Sequence, residues 1–102
     1  MKLVRDKIPE IIESKEGKKP KTRMLSDEEF HEQLIAKLLE EAEEYNNDRN
    51  PEELADILEV VFALAKLNGI SRKSLEQMRE KKAGERGAFE KRIFLSDVSG
   101  FS

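Results

Sequence analysis

Residues 26–69, SDEEFHEQLIAKLLEEAEEYNNDRNPEELADILEVVFALAKLNG, decide the fold of this chain. Their opening, Ser26-Asp27-Glu28-Glu29, has the pattern of a capping box, in which Glu29 reaches back to the Ser26 amide. Phe30, Leu34, Ile35, Leu38, Ala42 and Tyr45 then recur at helical spacing, which predicts a first long helix to Tyr45 or Asn46. Asn46-Asn47-Asp48-Arg49 reads as a turn. Asn50-Pro51-Glu52-Glu53 opens a second helix, with asparagine as N-cap, proline at the first helical position and glutamate at the third. Leu54, Ile57, Leu58, Val60, Val61, Phe62, Leu64, Ala65 and Leu67 follow, and Asn68-Gly69 is the stop. So short a connection predicts an antiparallel hairpin.

Outward from the hairpin the signals weaken. Asp6 to Ser14 fits a short helix around Ile8, Ile11 and Ile12, with Pro9 in its first turn. Lys15 to Arg23 is basic, contains Gly17 and Pro20, and reads as a loop, with Lys21 to Leu25 extended. Ser71 caps a third helix that ends near Ala83-Gly84. The tail from Phe89 to Leu95 alternates loosely, as a short strand would, and Lys21 to Leu25 is its candidate partner. The expected fold is therefore all-α: a helical bundle built on the hairpin plus a third helix, with short extended N- and C-terminal segments. The second long helix is apolar over more than half its circumference. A hairpin alone leaves part of that surface uncovered, which points to the third helix and to a homodimer or homotetramer.

With 102 residues, the chain is expected to form a single domain over 1–102. Its 40% charged residues suit amphipathic helices better than a sandwich of strands. The absence of cysteine excludes disulfides and thiolate metal ligands, and it fits a cytoplasmic protein. No apolar run approaches the ~20 residues of a membrane span, and the first residues lack a secretory signal. A net charge of −3 argues against a nucleic-acid partner. Acid concentrates between Asp27 and Glu59, whereas base clusters from Lys15 to Arg23 and from Arg72 to Arg92, a distribution that suits a metal ion with an anionic ligand.

The acids of the hairpin occupy unusual places. At roughly 100° per residue, Glu41 falls between Phe30 and Leu34, inside the apolar arc of the first long helix, and Glu44 lies at its border. On the second, Glu53 falls between Val60 and Leu64, and Asp56 lies just beyond Leu67. Glu40, Glu43, Glu52 and Glu59 face water. In an antiparallel hairpin Glu41 and Asp56 each stand ~7.5 Å from the turn, and Glu44 and Glu53 each ~3 Å. Runs such as Glu40 to Glu44 are often only solvated helix formers, and Lys37, one turn before Glu41, is a candidate ion-pair partner. Solvated acids, however, do not sit inside apolar arcs on two facing helices. Four carboxylates at nearly one height repel, and a hard divalent cation with oxygen ligands relieves them.

Glu40-Glu41-Ala42-Glu43-Glu44 followed by Glu53-Leu54-Ala55-Asp56 resembles the paired EExxE and ExxD motifs of the MazG-like, all-α nucleoside triphosphate pyrophosphatase superfamily. The opening Lys2-Leu3-Val4-Arg5-Asp6-Lys7-Ile8-Pro9 and the late Arg86-Gly87-Ala88-Phe89 also look like its phosphoribosyl-ATP pyrophosphohydrolase-like subgroup. The resemblance implies a hydrolase that cleaves a nucleotide between its α and β phosphates and releases pyrophosphate and a monophosphate. It implies Mg²⁺, with Mn²⁺ as a substitute, on Glu41, Glu44, Glu53 and Asp56. Two departures stand out: the interval from Glu44 to Glu53 is shorter than is typical, and Ala88 replaces an expected second glycine.

In the mechanism this suggests, water polarised by metal and carboxylate attacks phosphorus in line, with Glu44 as the favoured base from its edge position. Basic side chains should grip the phosphates, and Lys82, Arg86, Arg5, Lys7 and Lys37 are the substrate-binding candidates, followed by Lys91 and Arg92. His31, the only histidine, is read as a surface or interface residue and Tyr45 as packing. Three functions compete: house-cleaning hydrolysis of surplus or non-standard nucleoside triphosphates, phosphoribosyl-ATP hydrolysis in histidine biosynthesis, and a non-catalytic helical interaction module.

Overall fold

Ser26 starts the longest helix, and does so with both halves of the capping box. Its hydroxyl accepts the Glu29 amide at 3.2 Å, and the Glu29 carboxylate accepts the Ser26 amide at 3.3 Å. In the computed structural model, which describes residues 1–98, four helices follow in order: α1 (Ile8–Glu16), α2 (Asp27–Asp48), α3 (Pro51–Leu67) and α4 (Arg72–Arg86). The all-α expectation holds.

Each terminus has a local cause. Pro9 lies in the first turn of α1, and Gly17 closes it at φ 71°, a left-handed conformation that costs glycine nothing, with its amide donating to Glu13 O at 2.8 Å. The first long helix runs past the expected Tyr45 or Asn46 to Asp48, because the left-handed cap falls on Arg49 at φ 58°. An arginine there is unusual. Its amide donates to Tyr45 O at 2.8 Å and its Nε to Asn46 O at 2.9 Å, which satisfies two end carbonyls. Asn50 then caps α3 as expected, its Oδ1 accepting the Glu52 amide at 3.0 Å.

Among the described residues there is no strand, so the expected pairing of Lys21–Leu25 with the tail does not form; residues 92–98 and 19–26 are irregular. Two features oppose an extended tail. Gly87 and Arg92 both adopt left-handed backbone, at φ 84° and 56°, and Glu90-Lys91-Arg92 interrupts the apolar alternation. A lone pair of short strands would also be marginal in water.

The chain divides into two compact units, Met1–Arg72 and Lys73–Ser102. In the first, α2 packs against α3, and α1 makes no comparable helix pairing. Leu34, only 3% exposed, centres the contact, with Val60 and Ala65 also buried. Arg72 lies over the Phe62 ring, 4.3 Å from its centroid, and pairs with Glu59 at 3.8 Å, which ties down the chain leaving α3. The second unit carries most of α4, together with exposed Phe89, Ile93, Phe94 and Leu95.

The apolar arcs are only partly used. Ile35, expected among the inward residues of α2, is exposed, and so are Leu39 and Ala42. On α3, Leu54 and Leu58 are likewise exposed and Val61 is half-buried. Each trio follows i, i+4, i+7. Because the helices are antiparallel, equal rotation from the contact line turns both trios to the same side of the hairpin.

Ser26→Ala tests the local account of α2. It removes the hydroxyl acceptor, and a loss of about 1 kcal/mol in urea unfolding is expected. A change below about 0.3 kcal/mol would mean that the cap adds little to packing.

Candidate metal centre

Among the described residues Glu41 is the one buried charged residue, at 7% exposure. Its position in the α2 wheel places it against α3, because Phe30 and Leu34 flank it on the contact face. Opposite stand Glu53 and Asp56, one turn apart on α3. One carboxylate oxygen from each of Glu41, Glu53 and Asp56 lies within 4.8 Å of the other two. Oxygens at opposite sides of one hard cation stand about 4–5 Å apart, so the group has the dimensions of a shared site.

The neighbours of these acids are unequal. Lys37 Nζ is 3.5 Å from Glu41 Oε1 and 3.4 Å from Glu40 Oε2. Arg5 Nη2 is 2.6 Å from Asp56 Oδ1, a charge-assisted contact between the N-terminal segment and α3. Among the described residues no cation pairs with Glu53. Glu41 Oε2 and Glu53 Oε2 are both buried with no hydrogen-bond donor. A buried carboxylate oxygen without a donor is costly, and a bound cation is what removes that cost.

Glu53 shows the strain chemically. Its carboxyl is pushed up from 4.5 to about 7, first by partial burial, then by proximity to Glu41, and further by the charges of Asp48 and Glu44. Two carboxyls can share a hydrogen bond only when one carries a proton, so the acid without a counter-ion takes it up. The folded form then binds more protons than the unfolded chain between pH 4.5 and about 7. The contribution of Glu53 to stability is therefore greatest below that window and is lost as pH rises through it. Thermal melts in EDTA should show a lower Tm at pH 8 than at pH 5.5, with a flatter profile in Glu53→Gln. Parallel profiles for the two proteins would exclude Glu53 as the source. Mg²⁺, which needs the ionised carboxylates, should raise Tm more at pH 8 than at pH 5.5.

Comparison with protein-family models, curated proteins and solved structures finds no match to this chain. The chemistry of the site thus rests on its own side chains.

Of the four acids expected to meet, three do. Glu44 is exposed and stands outside the group of three, though near enough to raise Glu53. Its border position on α2 already separated it from Glu41. Of the expected basic residues, Lys37 and Arg5 touch the acids, whereas Lys7 is the exposed residue that precedes α1. Lys82 and Arg86 are exposed on the last turns of α4, in the second unit. Asp48 is an addition. Reading it as a turn residue hid its influence on Glu53, yet it follows Glu41 by seven positions and so shares its helix face.

Proposed function

We propose that the chain is a Mg²⁺-dependent nucleotide pyrophosphohydrolase of the MazG-like all-α kind, and that Glu41, Glu53 and Asp56 hold its cation. The observation that carries this reading is the Glu41 carboxylate: nine-tenths buried, with one oxygen lacking any donor, and grouped with two acids from the facing helix. The donor set is all oxygen, which suits Mg²⁺ or Mn²⁺ and not the softer metals. A divalent ion bound there supplies Lewis-acid polarisation of phosphate oxygens and relieves the mutual repulsion of the acids.

The remaining roles belong to the chain. Glu44, beside the group but outside it, is the carboxylate left to accept a proton from an attacking water. Arg5 and Lys37 place positive charge at the edges of the site, where an anionic substrate would bring its phosphates. Lys7, which belongs to the same compact unit as the acids, is a further proposed substrate contact. The expected products are pyrophosphate and a nucleoside monophosphate, and the expected substrates are surplus or non-standard nucleoside triphosphates.

Pyrophosphate release across a panel of nucleotides, with and without Mg²⁺, tests this. Activity on triphosphates supports the house-cleaning role, and activity confined to phosphoribosyl-ATP moves the enzyme to histidine biosynthesis. No release from any nucleotide would leave a helical interaction module and overturn the enzymatic reading.

The reading includes self-association. The trios Ile35, Leu39, Ala42 and Leu54, Leu58, Val61 form one apolar side of the hairpin, and a second copy offers the same pattern to pack against. Leu39→Glu together with Leu58→Glu should reduce the mass in solution to that of a single chain. The unchanged mass of an oligomer in that variant would place the interface elsewhere.

A further inference from the structure

The counter-ions of the acid group differ in how they are held. Lys37 belongs to the same helix as Glu41, is half-buried, and is shared with Glu40, so it is part of the wall. Arg5 comes from an irregular segment 51 residues before its partner, and its side chain is 58% exposed. Its backbone is anchored: Leu3 and Val4 beside it are half-buried, and its carbonyl accepts the Ile8 amide at 3.0 Å as α1 begins. Only the side chain is loosely committed. Among the described residues the guanidinium meets a single carboxylate oxygen, which leaves most of its five donors for another partner.

We propose that Arg5 is the exchangeable counter-ion of the site: it neutralises Asp56 until a divalent cation takes that carboxylate, and the released guanidinium then holds a phosphate-bearing anion. The inference rests on the reading of Glu41, Glu53 and Asp56 as a cation site. A divalent ion at the three acids and a guanidinium 2.6 Å from one of them compete for the same negative charge. The ion gains three carboxylates, the arginine loses one half-exposed contact, and so the arginine moves. Its anchored backbone keeps the freed fork at the rim, where its planar donors fit phosphate oxygens better than a lysine would.

Calorimetric titration of Mn²⁺ into the whole chain, followed by inorganic pyrophosphate into the Mn²⁺-loaded protein, tests the exchange in wild type and Arg5→Gln. The variant should bind Mn²⁺ about two- to fivefold more tightly, because the internal competitor is gone. It should bind pyrophosphate about tenfold more weakly, because the anchor is gone. The opposed signs are decisive: a residue that merely supports the fold would weaken both. Mn²⁺ affinity unchanged or reduced in Arg5→Gln, or pyrophosphate affinity unaltered, overturns the exchange while leaving the cation site in place. Absence of Mn²⁺ binding in the wild type overturns both. Arg5→Lys keeps the charge and serves if the glutamine variant does not fold. It should match wild type for Mn²⁺ within about twofold yet lose several-fold for pyrophosphate, and equal pyrophosphate affinity would reject the role of the fork.

Discussion

Glu41→Gln is expected to lower Mg²⁺-dependent pyrophosphate release by at least about 10²-fold, roughly 3 kcal/mol of transition-state stabilisation. The substitution keeps the shape of the side chain and removes its charge. Among the described residues Glu41 is the acid most enclosed by protein, so water would replace it least well in the proposed cation site. A second readout separates this role from a structural one. In EDTA the variant should be at least as stable as wild type, because an amide tolerates burial better than a carboxylate whose Oε2 has no donor. Lys37 keeps Glu40 as a partner at 3.4 Å. The rise in Tm on adding Mg²⁺ should disappear. A variant that is less stable in EDTA and still gains stability from Mg²⁺ would show that Glu41 is a packing residue with a tolerated charge.

Leu34→Ala has the largest expected effect on folding, a loss of about 2–5 kcal/mol. Among the described residues Leu34 is the most buried, at 3% exposure, and the only other buried apolar residues are Val60 and Ala65. A domain of this size has roughly 5–15 kcal/mol of stability in all, so one cavity removes a large share of it. Urea unfolding should show a much lower midpoint or no cooperative transition. A loss below about 1 kcal/mol would mean that the hairpin collapses around the gap. The exposed neighbour Ile35 offers the contrast, since truncation there leaves no cavity between the helices.

The two experiments address different parts of the same contact. Leu34 and Glu41 lie on adjoining lines of α2, so one surface carries both the core and the candidate metal centre. The core is small because the contact face also accommodates acids, and it is for this reason that the flanking apolar side of the hairpin is proposed to pack on another copy.

Much of this is visible in residue order. Ser26 and Glu29, and Asn50 with Pro51, announce two helix starts through side-chain geometry that needs no tertiary partner. The 3.6-residue period then places Glu41 inside an apolar arc and Glu40 and Glu43 outside it, and the burial of each agrees. Periodicity was less informative where apolar residues exceed what one partner covers. Ile35 and Leu34 both belong to the apolar arc of α2, yet only Leu34 of the two is buried, while Ile35 stays exposed.

Sequence by itself determined the helices, the hairpin, and which acids face inward, because capping and helical period are local properties of the chain, whereas the strand pairing it suggested between Lys21–Leu25 and the tail does not form among the described residues. Tertiary structure alone decided that Glu41, Glu53 and Asp56 converge while Glu44 stays at the rim, that Arg5 reaches Asp56 across 51 residues, and that burial and neighbouring acids push the Glu53 carboxyl up. Those outcomes depend on distances between separate segments and on the water removed when they meet, and neither quantity is encoded in spacing along one helix.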